Sequence, residues 1–367
     1  MATPGVQLDR ESVAQQVHEI VRALLAELGS PATATQELAA AHLERELGLG
    51  SLERVELMLR LDTAFGIQLP EHTVAEANTV AELVDAVLEA GGHAIERRTS
   101  PSSADNGSPA SAIPFVPTAA ESYPDTRSNL RRVFEGIYGV YALAVFALLL
   151  VPSWLLIHVL PRGRAVWRLT EWAIKLLFLL QGVPVRVVGR ENLLLGQPCI
   201  FVSNHSSYSD VLFLLGYFPH EYRFVAKIEV HSYPFIRAFI REMNHFAFDR
   251  ADQRARLEQV KEIERTLERG NSVFVFPEGT FAPPPGVRPF QLGAFKAAVT
   301  TGKPICPVAV RGAREILRDE TVLPRPGRVT ITIRPPLLPK QDGWQEIVRL
   351  RDATRAAIAE HCGEPLL

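Results

Sequence analysis

The chain has 367 residues, of which 47% are hydrophobic, and a formal net charge of −2. That apolar content supports a sizeable core and excludes a disordered chain. The near-zero charge conceals an asymmetry: residues 1–98 hold sixteen Asp/Glu and seven Lys/Arg, a net of −9, and residues 99–367 hold 25 and 32, a net of +7.

A basic body beside an acidic module predicts attraction between the two, attraction to anionic lipid, or both. No Lys/Arg cluster interleaves with stacking aromatics, so nucleic acid is not an expected partner. Cys199, Cys306 and Cys362 lack metal-ligand spacing; no metal is expected, and so sparse a set fits a reducing cytosolic compartment. The first apolar-rich stretch is interrupted by Asp9, Glu11 and Glu19, which does not read as a signal peptide.

The predicted elements begin with a small all-α bundle over residues 1–98. Val13, Val17, Ile20, Val21, Leu24 and Leu28 recur at helical spacing, with Gly29 as a stop signal. Leu52, Val55, Leu59 and Phe65 line a second helix, and Thr79 with Glu82 forms a capping box for a third. Residues 99–127 are Ser/Pro/Ala/Gly-rich without apolar period and read as a flexible linker.

Residues 128–182 form a helical, membrane-associated segment. Gly136 to Pro161 carries no charge and is long enough to cross roughly 30 Å of hydrocarbon. Against a single crossing stand Pro152 within it and arginines at both ends (Arg131, Arg132; Arg162, Arg164, Arg168). A membrane-embedded hairpin or monotopic anchor, a true crossing and a buried soluble helix all remain open. Val166 to Leu180, with Arg168, Glu171 and Lys175, is amphipathic. From 183 to 367, β-rich runs (Cys199 to Ser203, Tyr222 to Ala226, Ser272 to Phe276, Ile305 to Val310, Val329 to Arg334) alternate with helical ones such as Ala251 to Gly270, which predicts an α/β domain.

The first of those runs leads into Asn204-His205-Ser206-Ser207-Tyr208-Ser209-Asp210. A carboxylate accepting from one imidazole nitrogen leaves the other free to take a proton from a hydroxyl. Five-residue His–Asp spacing is common by chance, so position carries the weight: the pair follows a strand, where open α/β sheets bind ligands. Ser272 to Phe276 likewise ends in Pro277-Glu278-Gly279-Thr280, and Arg250 closes the intervening segment with a guanidinium suited to phosphate.

In this order the blocks resemble the glycerolipid acyltransferase family, which acylates lysophosphatidic acid and related acceptors, over residues of about 130–340. The resemblance implies His205 and Asp210 as the catalytic dyad. It makes Arg250, Glu278, Gly279 and Thr280 the binding residues for the acceptor's phosphate, with Ile305 to Gly312 as the fourth block. Phe281 and Ala282 stand where the family has Arg-Ser, Gln291 where Lys is common, and Asn244 where Gly often opens the second block. Two phosphate-side cations are thereby absent, which leaves room for an acceptor with another head group.

Leu47-Gly-Leu-Gly-Ser51-Leu-Glu-Arg-Val-Glu-Leu57 and Phe65-Gly-Ile-Gln-Leu-Pro70 resemble the acyl carrier protein family over residues of about 8–92. That resemblance implies 4′-phosphopantetheine on Ser51, loaded by a phosphopantetheinyl transferase; a serine opening a helix also sets the phosphate against the helix N-terminus. Gly50 replaces the usual Asp, and Arg54 and Arg60 dilute the acidity of the second helix. A linker of this composition reaches on the order of 30 Å, presenting a tethered thioester at about millimolar effective concentration.

The expected protein is therefore a membrane-associated O-acyltransferase with cytoplasmic domains. It would use an acyl-carrier or acyl-CoA thioester, a lysophospholipid-like acceptor and membrane lipid. The competing classes are a membrane-anchored carrier scaffold without catalysis, and an acyltransferase for a non-phosphate lipid.

Overall fold

The computed structural model describes residues 10–28, 38–43, 46–67, 69, 77–96, 129–161, 163–194, 196–218, 221–227, 234–243, 245–248, 253–279, 285–318 and 321–367. The expected linker at 99–127, the Gly29 stop, Arg250 and Thr280 lie outside them. The chain divides into two compact units, residues 1–120 and 121–367.

The first unit is helical: α1 (Arg10–Leu28), α2 (Ser51–Phe65) and α3 (Val80–Glu96), with a short 3₁₀ turn at Leu38–Ala40. Val13, Val17, Val21, Leu24 and Leu25 of α1 are buried, as are Val80, Leu83 and Val87 of α3. The α2 stripe is rotated from its sequence-based expectation. Leu57 and Leu61 are fully buried, while Leu59 is 52% exposed. Arg54 turns inward, 5% exposed, its Nε donating to Leu49 O (3.3 Å) and a terminal nitrogen to Ala77 O (2.9 Å). A period search scores that position as solvent because it holds a cation. Arg60 bonds Glu27 and Glu56, so these two arginines do not form a free basic patch. The α3 cap also differs in detail. Thr79 accepts from the Glu82 N–H, but Glu82 reaches back to the N–H of Asn78 (2.7 Å), one residue further than a capping box.

The second unit opens with α4 (Asn129–Ile157), which runs through Pro152, and α5 (Arg164–Leu180). By length and composition, Leu130–Ile157 is the single helix among the described residues apolar enough to cross a membrane. One face of it rests on the α/β domain along its length. Near its start Glu135 pairs with Arg325 (3.5 Å), the Tyr138 hydroxyl donates to Gln181 O (2.8 Å), and Gln181 Nε2 donates to Ala142 O (2.9 Å). Near its end Trp154 and Ile157 join Val166, Ala238 and Met243. The other face, including Leu130, Phe134, Ile137, Leu148, Val151 and Leu155, is exposed.

The remaining elements build a seven-stranded sheet in the order β1-β7-β6-β2-β5-β3-β4. In chain order these are β1 (Val185–Val188), β2 (Ile200–Ser203), α6 (Ser209–Tyr217), β3 (Arg223–Lys227), α7 (Pro234–Glu242), β4 (Phe246–Phe248), α8 (Gln253–Glu268), β5 (Val273–Val275), α9 (Gly293–Thr301), β6 (Ile305–Arg311), α10 (Ala313–Ile316), β7 (Val329–Ile333) and α11 (Trp344–Cys362). Neighbours run parallel except β6 and β7, so the sheet is mixed. β2 and β5 are buried at every position, as a continuous apolar run requires when helices cover both faces of a strand. Phe201, Phe274, Cys306 and Val308 pack with Ile174, Phe178 and Phe213 of α5 and α6, while α11 packs on β6. The register is decisive for function: β2 lies between β5 and β6, so the segments leaving the C-terminal ends of all three emerge side by side.

His245, at the entrance to β4, accepts the Phe224 N–H on Nδ1 (3.1 Å), and burial lowers its pKa to about 3. The folded state therefore stays neutral where the unfolded chain, titrating near 6.5, takes up a proton. Stability from this group is present above pH 6.5 and falls as pH drops toward 3, by roughly 1.4 kcal/mol per pH unit. Denaturant titrations across that window test this. His245→Gln removes that slope if the assignment is right and leaves it intact if it is wrong.

Candidate active site

Asn204, directly after β2, is 2% exposed and clasps the neighbouring strand. Its Nδ2 donates to Val310 O and its Oδ1 accepts the Val310 N–H, both at 2.9 Å. The chain then leaves the sheet and turns into α6, whose first turn holds Asp210, fully buried. One Asp210 oxygen, Oδ2, accepts from the N–H of Ser206 (2.7 Å), the N–H of Ser207 (2.8 Å) and His205 Nδ1 (3.0 Å). An ionised carboxylate only accepts, which assigns the proton to Nδ1 and leaves Nε2 with a lone pair. The His205 side chain is 15% exposed, reachable yet held.

Two residues that follow β5 complete its setting. Phe276 lies flat on the imidazole, centroids 4.2 Å apart and planes at 16°. Glu278 accepts the His205 main-chain N–H on Oε1 (2.9 Å) and the Arg288 N–H on Oε2 (3.1 Å). Burial raises the Glu278 pKa, partly offset by these two amides. Gly279 turns with φ 77°, and the Gln291 side-chain amide lies where a Cβ on Gly279 would project. His205, Asp210, Glu278 and Gly279 thus gather at one end of the sheet. Phe276 was missed by sequence reading because a phenylalanine ending an apolar strand carries no distinguishing signal. A cavity of about 350 Å³ lined by Trp167, Tyr222, Arg223 and Ser272 opens instead at the N-terminal ends of the strands, away from this chemistry.

Ser51 is the first residue of α2, after an extended Gly50 (φ −76°, ψ −168°) that supplies no side-chain cap. An uncapped helix N-terminus beside a serine fits a phosphodiester attachment. The Glu53 carboxylate occupies the space a Cβ on Gly50 would take, so an acidic group still stands beside Ser51.

A buried His–Asp pair stands at the carboxyl end of a mixed α/β sheet, in one chain with a helical unit whose second helix opens on a serine. Residues 184–311 match the acyltransferase family, and residues 16–87 match the phosphopantetheine attachment site family. The chain is 30% identical over 206 residues to a chloroplastic 1-acyl-sn-glycerol-3-phosphate acyltransferase of Brassica napus, aligning 54% of this chain with 60% of that one. It is 32% identical over 161 residues to a lyso-ornithine lipid O-acyltransferase of Brucella abortus, 43% of this chain and 58% of that one. It therefore spans under two thirds of the length of either relative. The crystal structure of the 1-acyl-sn-glycerophosphate acyltransferase PlsC from Thermotoga maritima superposes with a TM-score of 0.50 at 28% identity, covering 63% of this chain and 96% of that one.

Asn204→Ala orphans both main-chain groups of Val310 in a buried setting and is expected to cost about 2–4 kcal/mol. Equilibrium urea unfolding reads this directly; a cost below about 0.5 kcal/mol would show that the clasp does not secure the loop.

Proposed function

We propose that this protein is a monotopic membrane O-acyltransferase that transfers a fatty acyl group from a thioester to the hydroxyl of a lysophosphatidic acid-like acceptor. The observation that carries the reading is the 3.0 Å bond from His205 Nδ1 to Asp210, which leaves Nε2 as the base. His205 takes the proton of the acceptor hydroxyl as its oxygen attacks the thioester carbonyl. The C–S bond then breaks and the proton passes to the departing thiolate. Asp210 stabilises the transient imidazolium. No acyl-enzyme is required, because the hydroxyl of the second substrate is the nucleophile. Arg250 and the Glu278–Thr280 turn are assigned to the acceptor side by their place in the blocks.

Ser51 would carry 4′-phosphopantetheine, added by a phosphopantetheinyl transferase, and that group supplies the thiol on which an acyl chain is held as thioester. Acyl-CoA is the alternative donor. A scaffold role without catalysis is disfavoured by a histidine so fully oriented.

The membrane reading rests on α4. A helix packed on its own domain at both ends cannot leave that domain to span a bilayer, so it lies along the surface with its apolar face in lipid. Trp172 and Leu179 of α5, each 74% exposed, add to the apolar surface of this helix pair. The catalytic and carrier domains are assigned to the cytoplasmic side of that membrane.

A non-phosphate acceptor is the second reading, favoured by Gln291 against Gly279 and by the name of the Brucella relative.

Product analysis on vesicles containing lysophosphatidic acid and an acyl-CoA tests the reaction. Phosphatidic acid is expected, and its absence with every thioester donor overturns the reading; acylation of lyso-ornithine lipid alone selects the second acceptor class. Intact-mass measurement after co-expression with a phosphopantetheinyl transferase is expected to show one added arm, lost in Ser51→Ala. An unmodified chain would leave acyl-CoA as donor. Leu148→Asp is expected to weaken vesicle co-sedimentation by about tenfold or more; unchanged binding would contradict the in-plane arrangement.

A further inference from the structure

Behind the histidine, a layer of main chain connects the site to the last helix. Residues 286–288 run beside residues 364–367, with the Val287 N–H donating to Pro365 O (2.7 Å) and the Leu367 N–H to Val287 O (3.2 Å). The Gly286 N–H donates to Glu364 Oε2 (2.9 Å), and Glu364 is in turn forked by Arg314 of α10, whose Nε lies 2.7 Å from Oε1. Arg355 of α11 donates to the carbonyls of Arg288 (3.1 Å) and Val287 (2.8 Å). The next N–H in that segment, that of Arg288, is the one Glu278 accepts, and the other Glu278 oxygen accepts the N–H of His205. The order of contacts is therefore Arg355, residues 287–288, Glu278, His205.

Glu278 is 8% exposed and each of its oxygens meets a main-chain N–H. A carboxylate so placed contributes little to holding an anionic head group, because its charge opposes that of a phosphate. It is well placed to hold a backbone, since charge-assisted bonds to N–H groups are short and directional.

We propose that Glu278 and Arg355 are positioning residues for the catalytic histidine. Glu278 fixes the main chain of His205, and Arg355 fixes the segment on which the second Glu278 oxygen bears. This rests on the acyl-transfer reading and reassigns Glu278 within it, from acceptor ligand to support of the base.

Steady-state kinetics of the full chain on vesicles, with the lysophosphatidic acid content varied at saturating acyl-CoA, tests the assignment. Glu278→Gln keeps one acceptor oxygen and loses the charge. It is expected to lower kcat by about 10- to 100-fold, the size associated with misplacing a reacting group, while leaving the acceptor KM within about twofold. Arg355→Lys keeps the cation without the fork and is expected to show the same split at smaller size; Arg355→Gln shows it in full. An acceptor KM that rises about tenfold in Glu278→Gln with kcat retained makes Glu278 an acceptor ligand and overturns the proposal. Wild-type kinetics in Arg355→Gln overturns the relay. Thermal unfolding of each variant is compared with wild type, and where Glu278→Gln fails to fold, the pair Arg355→Lys and Arg355→Gln decides the outcome. A wild-type protein that makes no ester from any thioester fails separately, and takes this proposal with the reading it rests on.

Discussion

The site depends on one buried charge. Asp210 is fully inaccessible, and an ionised carboxylate there is tolerable only where donors converge on it. Four do, all from the three residues that follow Asn204: the main-chain N–H groups of Ser206 and Ser207, His205 Nδ1 and the Ser206 hydroxyl. The carboxylate therefore dictates the path of residues 205–207 as well as the tautomer of the histidine. Its place in the first turn of α6 adds the favourable field of a helix N-terminus. Four intervening residues are what a chain needs to leave a strand, turn, and bring a first-turn side chain back over its own amides.

Sheet order supplies the rest. Because β2 pairs with both β5 and β6, Asn204 reaches Val310, and His205 meets Phe276 and Glu278, residues distant from it in sequence. The imidazole is then fixed from three directions: Asp210 at one nitrogen, a phenyl ring on its face, and Glu278 on its backbone. An imidazole held in this way requires little reorganisation when a reacting group arrives. The same unit carries α4 along its flank. The first unit has a core of its own.

Much of this was legible in the sequence, for physical reasons. In the central strands β2, β5 and β6 every residue but Arg311 is buried, so they read as nearly unbroken apolar runs. β1 was not seen because Val185–Val188 is a half-exposed strand interrupted by Arg186, and β4 because three residues are too short to show a period. In α2 the helix was legible but its buried face was not, since Arg54 fills a core position by bonding carbonyls of Leu49 and Ala77. The pairing of His205 with Asp210 could be read from the sequence, but the stacking of Phe276 and the two-bond clasp of Asn204 could not. Both arise from pairing between strands far apart in the chain, which single-sequence periodicity does not record.

The central claim is that the free nitrogen of an Asp210-oriented His205 removes the acceptor's proton. It is tested most directly by His205→Ala in the full chain, assayed for ester formation from a thioester and lysophosphatidic acid on vesicles, with circular dichroism confirming the fold. The account predicts a fall in kcat of at least about 10²–10⁴-fold, the range supplied by a positioned general base. Ester formation at the wild-type rate by the folded variant would contradict it.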